Sequence, residues 1–445
     1  MHKMWMHLKP HNLEERLKIS KNGTGGLHSA IRNTLLCCRV MGLFPLSGLT
    51  RPFSDRLKFS FWSPYTIIYV ISIFGQCLMF LMSFYWLLQR GISLTNITNS
   101  LFYSSSLTSS IILMTNIGRH WPRVIMRAEE LEANLPPFSR DVTRLCNITM
   151  VCILLAALVE HFFSVAYGLT VAYSCSPNNI AETYFRYNMP WIFDYIPFTL
   201  WKGIISEMFS IQSTFIWTLN DLLVMVISIY LTEHFIKHNE LLERAVCHDH
   251  FSAYIFRNQY LKIVRLVKLI NGHVGIYILT SFGSNLYWIC TQLFFCLNKT
   301  QTGPFIACKS GNDKNDYLVV PVREYNHPVF TCFPWVPARS FIHYTHTVYF
   351  TYSFSFLVAR TLLVLLLAAR IHSNSNAPLL TLYGLPSDKF NIEVERFIAQ
   401  INNIKVALSG LDFFYVTRTM ILTVSVPSPY TSLCSPLLEN TSHQL

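Results

Sequence analysis

Charge is the scarcest ingredient of this 445-residue chain. Acidic and basic side chains together make up 13% of it, where an average soluble protein carries about 25%. Too few charges are present to cover a soluble surface of that size. The 51% hydrophobic content in turn excludes a disordered chain. Glycine is sparse as well, at 17 residues, and no G-x-G-x-x-G, G-x-x-x-x-G-K, H-E-x-x-H or G-x-S-x-G run occurs. Phosphate-cradling loops, zinc-protease helices and nucleophile elbows therefore have no candidates. The 12 cysteines contain no C-x-x-C pair, and Cys37 and Cys38 are adjacent, so no metal framework is expected. The reading is not an enzyme: no catalytic residue, cofactor or metal is assigned. The net charge of +11 does not point to nucleic acid, because the basic residues collect on one side of a membrane.

What is present in abundance is apolar sequence. A membrane-spanning helix needs about 20 mostly apolar residues. Six stretches qualify: Tyr65–Leu88, Ile97–Ile117, Asn147–Tyr173, Pro197–Leu231, His273–Leu297 and Thr347–Leu367. The second is rich in Ser and Thr (Ser104, Ser105, Ser106, Ser109, Ser110). Such a helix is tolerable where its hydroxyls bond back to carbonyls and face protein. A seventh stretch begins at Leu411 and meets Pro427 and Pro429 before it is complete. The fold class expected is all-α, a multi-pass helical bundle of seven spans with a cytosolic N-terminus and an incomplete seventh span. The organisation is a cytosolic segment 1–62, six spans with loops over 63–372, a cytosolic amphipathic helix in 373–410, a partial seventh span 411–426 and an atypical tail 427–445.

Orientation follows from lysine and arginine. Residues 1–62, 118–144, 232–272 and 370–408 hold 10, 5, 6 and 4 of them, whereas the opposite loops hold 1, 1 and 5. The N-terminus is therefore inside, the reverse of a G-protein-coupled receptor, and the basic face attracts anionic membrane lipid. The first twenty residues carry Lys3, Lys9, Arg16 and Lys18 without an apolar core, which is not a signal peptide. Ile31–Leu46, too short to span, is expected as a helix lying on the cytosolic membrane surface. Outside, Cys308 and Cys332 either close a loop in the longest external segment or remain buried thiols. Asn298-Lys299-Thr300 is an external glycosylation sequon close to the membrane.

Helical patterning continues into the cytosol. Thr232 to Arg244 extends the fourth span, and Tyr260, Ile263, Val264, Val267 and Ile270 lead into the fifth. His248 and His250 read as a solvated or interfacial pair rather than as metal ligands. After Pro386, Ser387 suits an N-cap. Phe390, Val394, Phe397, Ile401, Ile404 and Leu408 then form one apolar stripe opposite Glu393, Glu395 and Asn402.

Three passages carry a resemblance. Val406-Ala407-Leu408-Ser409-Gly410-Leu411-Asp412-Phe413-Phe414-Tyr415-Val416-Thr417-Arg418 resembles the start of the last span of insect gustatory receptors, and the sugar-receptor subgroup in particular. Cys38-Arg39-Val40-Met41-Gly42-Leu43-Phe44-Pro45-Leu46-Ser47-Gly48 and Trp217-Thr218-Leu219-Asn220-Asp221-Leu222 match the same subgroup. The similarity runs from about residue 27 to 424. It implies a ligand-gated cation channel at the plasma membrane of a gustatory neuron dendrite, assembled as a homo- or hetero-tetramer around a pore lined by the seventh helix. Saccharides would bind an outward-facing pocket in each subunit, and Phe414, Arg418 and Ile421 fall at pore or gating positions. One departure stands out. The family ends that helix with T-Y-x-x-x-x-x-Q-F, whereas here Ile421-Leu422-Thr423-Val424 runs into Ser425-Val426-Pro427-Ser428-Pro429-Tyr430. This implies an altered or misread C-terminal exon and an impaired pore, and leaves open a non-conducting or auxiliary subunit. A secondary transporter is the alternative of another class, but the chain lacks the internal symmetry of transporter repeats.

Polar residues within spans collect at their outer ends. Glu160 and His161 lie in the third, Lys202 and Glu207 in the fourth, Tyr287, Trp288 and Gln292 in the fifth, and His343, His346, Tyr349 and Tyr352 at the start of the sixth. Sugar hydroxyls need carboxylate, amide or imidazole partners, while the ring faces rest on aromatic side chains. Glu160, His161, Glu207, Trp288, Gln292, His346 and Tyr349 are accordingly the sugar-binding candidates. The competing reading is an interfacial aromatic belt, with Glu207 paired to Lys202. Arg360 and Asn220-Asp221, deeper in the membrane, read as an internal ion pair or polar network, or as gating groups.

Overall fold

A computed structural model describes residues 26–419, apart from 51–56, 61, 134, 139, 249–250, 298–305, 310–316 and 321–337. The chain is helical almost throughout. A cytosolic helix α1 (Leu27–Val40) precedes α2 (Pro64–Arg90) and α3 (Leu94–Ile112). Then come α4 (Trp121–Glu132), α5 (Val142–Cys175) and two short external helices, α6 (Ile180–Asn188) and α7 (Pro190–Phe193). The long helices α8 (Leu200–Cys247), α9 (Ala253–Leu297) and α10 (Ala338–Asn376) follow. Last come α11 (Pro378–Tyr383) and α12 (Ile392–Asn403). Among the described residues the strands are two antiparallel ribbons, β1 (Leu46–Ser47) with β2 (Lys58–Phe59) and β3 (Ile306–Lys309) with β4 (Tyr317–Val320).

Among the described residues, five helices are long and apolar enough to cross a membrane: α2, α5, α8, α9 and α10. The Ser/Thr-rich second stretch forms α3 and continues through a π-helical turn, Leu113–Gly118. Its hydroxyls are accounted for as expected. Ser110 bonds back to the Ser106 carbonyl, and Ser106 donates to Gln76 of α2.

Helix α8 is the axis of the bundle. At about 1.5 Å per residue its 48 residues extend about 70 Å, far beyond the hydrocarbon. It packs against α1, α2, α3, α5, α9 and α10. Its most apolar window, of mean hydropathy 1.7, is 89% buried, against 11% for that of α5, of mean hydropathy 2.1. Both are apolar enough to span, so packing rather than span length assigns α5 to lipid.

The N-terminal helix differs from expectation. Instead of lying on the membrane surface, α1 is wedged between α4, α5 and α8 with Leu27, Ile31 and Leu35 buried. Polar groups that looked surface-seeking find partners in the bundle: Ser29 with Thr143 at 3.1 Å, and Asn33 Nδ2 donating to Asn147 at 3.0 Å. The Leu27 N–H donates to Glu132 Oε1 over 3.1 Å, and the Tyr230 hydroxyl donates to the same oxygen. Burial pushes the Glu132 carboxyl up to about 7. The chain then leaves α1 through Gly42, whose φ of 72° suits glycine. There Gln212 of α8 donates to the Met41 carbonyl and to Ser72 of α2.

The cytosolic ends of α8, α9 and α10 pack with α12 around Phe235, Tyr260 and Phe397. Val394, Phe397 and Ile401 are buried as the stripe requires, but Phe390 is exposed. The cap is Asn391, which accepts from the backbone of Glu393 and Val394. Ser387 lies within the turn closed by Lys389 N–H on the Pro386 carbonyl rather than at the cap. Beyond α12 the chain does not continue as helix through Leu411. Residues 408–416 form a hairpin in which Val416 N–H donates to Leu408 at 2.9 Å, and Gly410 N–H to Phe414 at 3.1 Å. Its two turn residues, Leu411 and Asp412, have φ of 51° and 60°, a mirror-image turn that asparagine and glycine normally occupy. Asn271 of α9 holds it by two bonds to Ser409, each 2.8 Å. Residues 420–445, with Ile421 and the prolines, lie outside the described residues.

Candidate ligand-binding site

The outer half of the bundle is lined by rings that different helices bring together. On the side of α5 and α10, Ser353 Oγ donates to Glu160 Oε1 over 2.8 Å, and Tyr352 donates to the Ala156 carbonyl over 3.1 Å. One turn farther out, Tyr167 stacks on Tyr349, with centroids 6.0 Å apart and planes 11° apart. It also meets His346 edge-on at 5.3 Å. Tyr187 of α6 reaches the Tyr167 hydroxyl from above.

The opposite wall belongs to α3, α8 and α9. Trp288 lies 5.6 Å from Trp217 and edge-on to Phe102 at 6.1 Å. The Tyr287 hydroxyl is 2.9 Å from Thr98. The Trp217 indole N–H donates to Asn285 Oδ1 over 2.9 Å. Below this wall lies a buried ion pair. Arg360 Nε is 2.9 Å from Asp221 Oδ2, and both residues are almost fully buried.

Helices α6 and α7 cap the external end. Tyr184, Phe185, Trp191 and Phe193 form a second apolar cluster with Met79 and Tyr103. Tyr184 donates to Glu207 Oε1 over 3.3 Å. Glu207 Oε2 and Gln292 Oε1 are buried acceptors without a hydrogen-bond partner among the described residues. An acceptor in that state costs about 1–3 kcal/mol, so a donor-rich ligand is the natural complement of this half.

The expected site residues are thus partly gathered. Glu160, His346 and Tyr349 share the wall of α5 and α10. Trp288 and Gln292 sit one turn apart on α9, and Glu207 lies beneath the cap. His161 is half-buried and enters none of these contacts. Lys202 does not pair with Glu207; it donates to the Pro197 carbonyl and lies over Trp201. The ion pair read from Asp221 and Arg360 forms. Phe102, Tyr167, Asn285 and Ser353 had no signal of their own, because each resembles an ordinary helix residue until its neighbour on another helix is known. Of the pore candidates, Phe414 packs edge-on against Phe282 at 5.2 Å and Arg418 is exposed, while Ile421 lies outside the described residues. Cys308 falls in β3, and Cys332, Asn298 and His250 lie outside the described residues. An open groove of about 390 Å³, lined by Asp141, Arg144 and Cys152 among others, lies at the cytosolic start of α5, remote from the rings.

Comparison with known proteins agrees with this architecture. The family described as trehalose receptor matches residues 13–305 and 330–427. Gustatory receptor 5a for trehalose from Drosophila melanogaster is 26% identical over 443 residues, covering 95% of this chain and 89% of that protein. Gustatory receptor for sugar taste 64f from the same organism is 27% identical over 409 residues, covering 90% and 78%. The solved insect olfactory receptor from Machilis hrabei in complex with eugenol superposes with a TM-score of 0.59 at 15% identity, covering 89% of this chain and 94% of that one. Without eugenol the score is 0.57 at 14% identity, over the same shares of the two chains.

Proposed function

The chain belongs to the trehalose receptor family, and on that premise we propose that it is a gustatory receptor for sugars, a ligand-gated cation channel subunit of the taste-neuron plasma membrane. The saccharide occupies the outer half of the bundle. Its apolar ring faces rest on the wall of Trp288, Trp217 and Phe102, and its hydroxyls donate to carboxylate and amide oxygens. The observation that carries this reading is the pairing of stacked rings with the buried, unpartnered acceptors Glu207 Oε2 and Gln292 Oε1. A neutral, hydroxyl-rich ligand satisfies both at once. Glu160, His346 and Tyr349 face it from α5 and α10, and His161 is retained as a candidate at the margin.

Opening is carried by the segment from Phe414 onward, with Phe414 in the 408–416 hairpin and Arg418 and Ile421 after it as the pore or gating positions. Copies of this chain, or of related subunits, assemble as a tetramer around that segment. Voltage-clamp recording of the expressed chain against a panel of neutral mono- and disaccharides tests the reading. Sugar-evoked cation current is expected, with Glu160→Gln and Trp288→Ala moving the dose–response curve to higher concentration. If both variants reach the surface and leave the curve unmoved, the site assignment is wrong. Sugar flux without current would instead indicate transport. Recording with a Gln-Phe ending in place of residues 425–445 measures how far the unusual tail limits conduction.

A further inference from the structure

The buried charges beneath the aromatic wall form a closed circuit that includes one of its tryptophans. Arg360 of α10 donates from Nη1 to Thr218 Oγ1 over 2.9 Å, and its guanidinium lies 4.3 Å above the Trp217 ring. Its Nε stands 2.9 Å from Asp221 Oδ2 as an ion pair rather than an in-line hydrogen bond. Asp221 accepts from Asn285 Nδ2 at 3.1 Å and from Ser281 Oγ. Asn285 in turn accepts the Trp217 indole N–H at 2.9 Å. Trp217 is therefore held twice: by a cation over its face from α10, and through its N–H by an amide of α9 that the same carboxylate orients. Its remaining aromatic neighbour is Trp288.

A buried carboxylate and guanidinium are retained in a membrane only with several compensating bonds. Here those bonds converge on the orientation of one ring. Arginine is the suited cation, because a planar guanidinium stacks on an indole while its nitrogens donate sideways.

We propose that the Asp221–Arg360 pair is a positioning unit that fixes the plane of Trp217 and, through the Trp217–Trp288 contact, sets the aromatic wall on which the sugar ring rests. The pair tunes affinity and discrimination among neutral saccharides without touching the ligand. This rests on the sugar-receptor reading for its ligand, but the ring-positioning part stands on geometry alone. It also predicts an asymmetry between conservative changes. Arg360→Lys keeps the charge and loses the planar stack, whereas Asp221→Asn keeps the shape and loses the charge. Both release Trp217. Ser281→Ala removes one hydroxyl from Asp221 and leaves the ion pair in place, so it is the mild variant.

The test uses the full chain purified in lipid nanodiscs. Tryptophan emission and acrylamide quenching are recorded, with Trp217→Phe giving the Trp217 share by difference. Binding of trehalose, sucrose, glucose and fructose is measured on the same samples. Arg360→Lys and Asp221→Asn are expected to red-shift and expose the Trp217 emission. They should weaken sugar binding by up to about thirtyfold, the scale of one lost cation–π contact in a desolvated site, and compress the affinity differences between the four sugars. Ser281→Ala should shift both readouts in the same direction by about twofold, and it carries the decision if the other two do not fold. Trp217→Phe weakening binding while the folded pair variants keep wild-type emission and affinity would overturn the proposal, leaving the pair a helix clasp. If the wild type binds none of the four sugars, the sugar reading fails; the emission readout still decides whether the pair positions Trp217.

Discussion

The two ends of α8 are packed by different rules. From Thr218 to Phe235 every residue is buried, whatever its chemistry. Toward the external end, Leu200, Trp201, Ile204, Ile205 and Met208 are exposed to lipid, while Glu207 and Trp217 turn toward rings and hydroxyls. At the inner end His238 bonds the Phe256 carbonyl at 3.0 Å and Asn239 the Asn374 carbonyl at 2.9 Å, while Thr232 Oγ1 and His234 Nε2 are buried without a hydrogen-bond partner among the described residues. The outer end leaves acceptors open. A single continuous helix thus serves as a clamp at one end and, in the proposed reading, as one wall of the site at the other. The division follows from burial, complete from Thr218 to Phe235 and one-sided toward the external end.

Four changes would break or sharpen that contrast. The largest effect is expected at the clamp. Phe397 is fully buried against Tyr260 and His238, so Phe397→Ala should cost about 3–5 kcal/mol. Thermal unfolding and surface expression would show it, with the sugar affinity of surviving molecules unchanged. Next is Glu132. Burial pushes its carboxyl up from the ordinary 4.5 to about 7, so the folded state holds the proton more tightly. Stability is fully present below about 4.5 and declines as pH rises through about 7, by up to about 3 kcal/mol. Unfolding midpoints across pH 4–8 should show this decline, and Glu132→Gln should flatten it.

A smaller effect is expected at Gly75, where an added Cβ would come within 2.0 Å of the Phe209 ring. Gly75→Ala should destabilise by about 1–3 kcal/mol through overpacking between α2 and α8, and Phe209→Leu should restore part of the unfolding temperature. The smallest effect on stability belongs to the outer wall. Trp288→Ala should weaken sugar binding by about tenfold, read by titration, with the unfolding midpoint nearly unmoved. Equal stability losses for Trp288→Ala and Phe397→Ala would erase the distinction between the two ends.

Much of the fold could be read before the structure, and the reasons for the misses are physical. Span lengths and the lysine and arginine balance depend on local sequence, so the long helices and their direction were legible. The stripe of Val394, Phe397 and Ile401 was legible for the same reason. The burial of α1 was not: Arg32, Asn33 and Arg39 make it look like an interfacial helix, and its partners lie more than a hundred residues away. The cap at Asn391 competed with an equally plausible Ser387, and only the turn after Pro386 decides between them. At the site, Glu160, Glu207 and Trp288 were visible as costly or bulky residues in apolar runs. Their counterparts Ser353 and Tyr184 gain meaning only from helix pairing, which a sequence pattern does not specify; Trp217 stood in a passage that carries the resemblance, but its contact with Trp288 was not legible there.

The grip of Gln212 on the Met41 carbonyl also constrains how the protein is made. The two residues are 171 positions apart, so at about 5–20 residues per second the ribosome needs roughly 10–30 s between them. During that interval α4 and α5 become available to the N-terminal helix, but the α8 side of its dock does not yet exist. Its full set of contacts is therefore complete only once α8, the fourth apolar stretch, has been made.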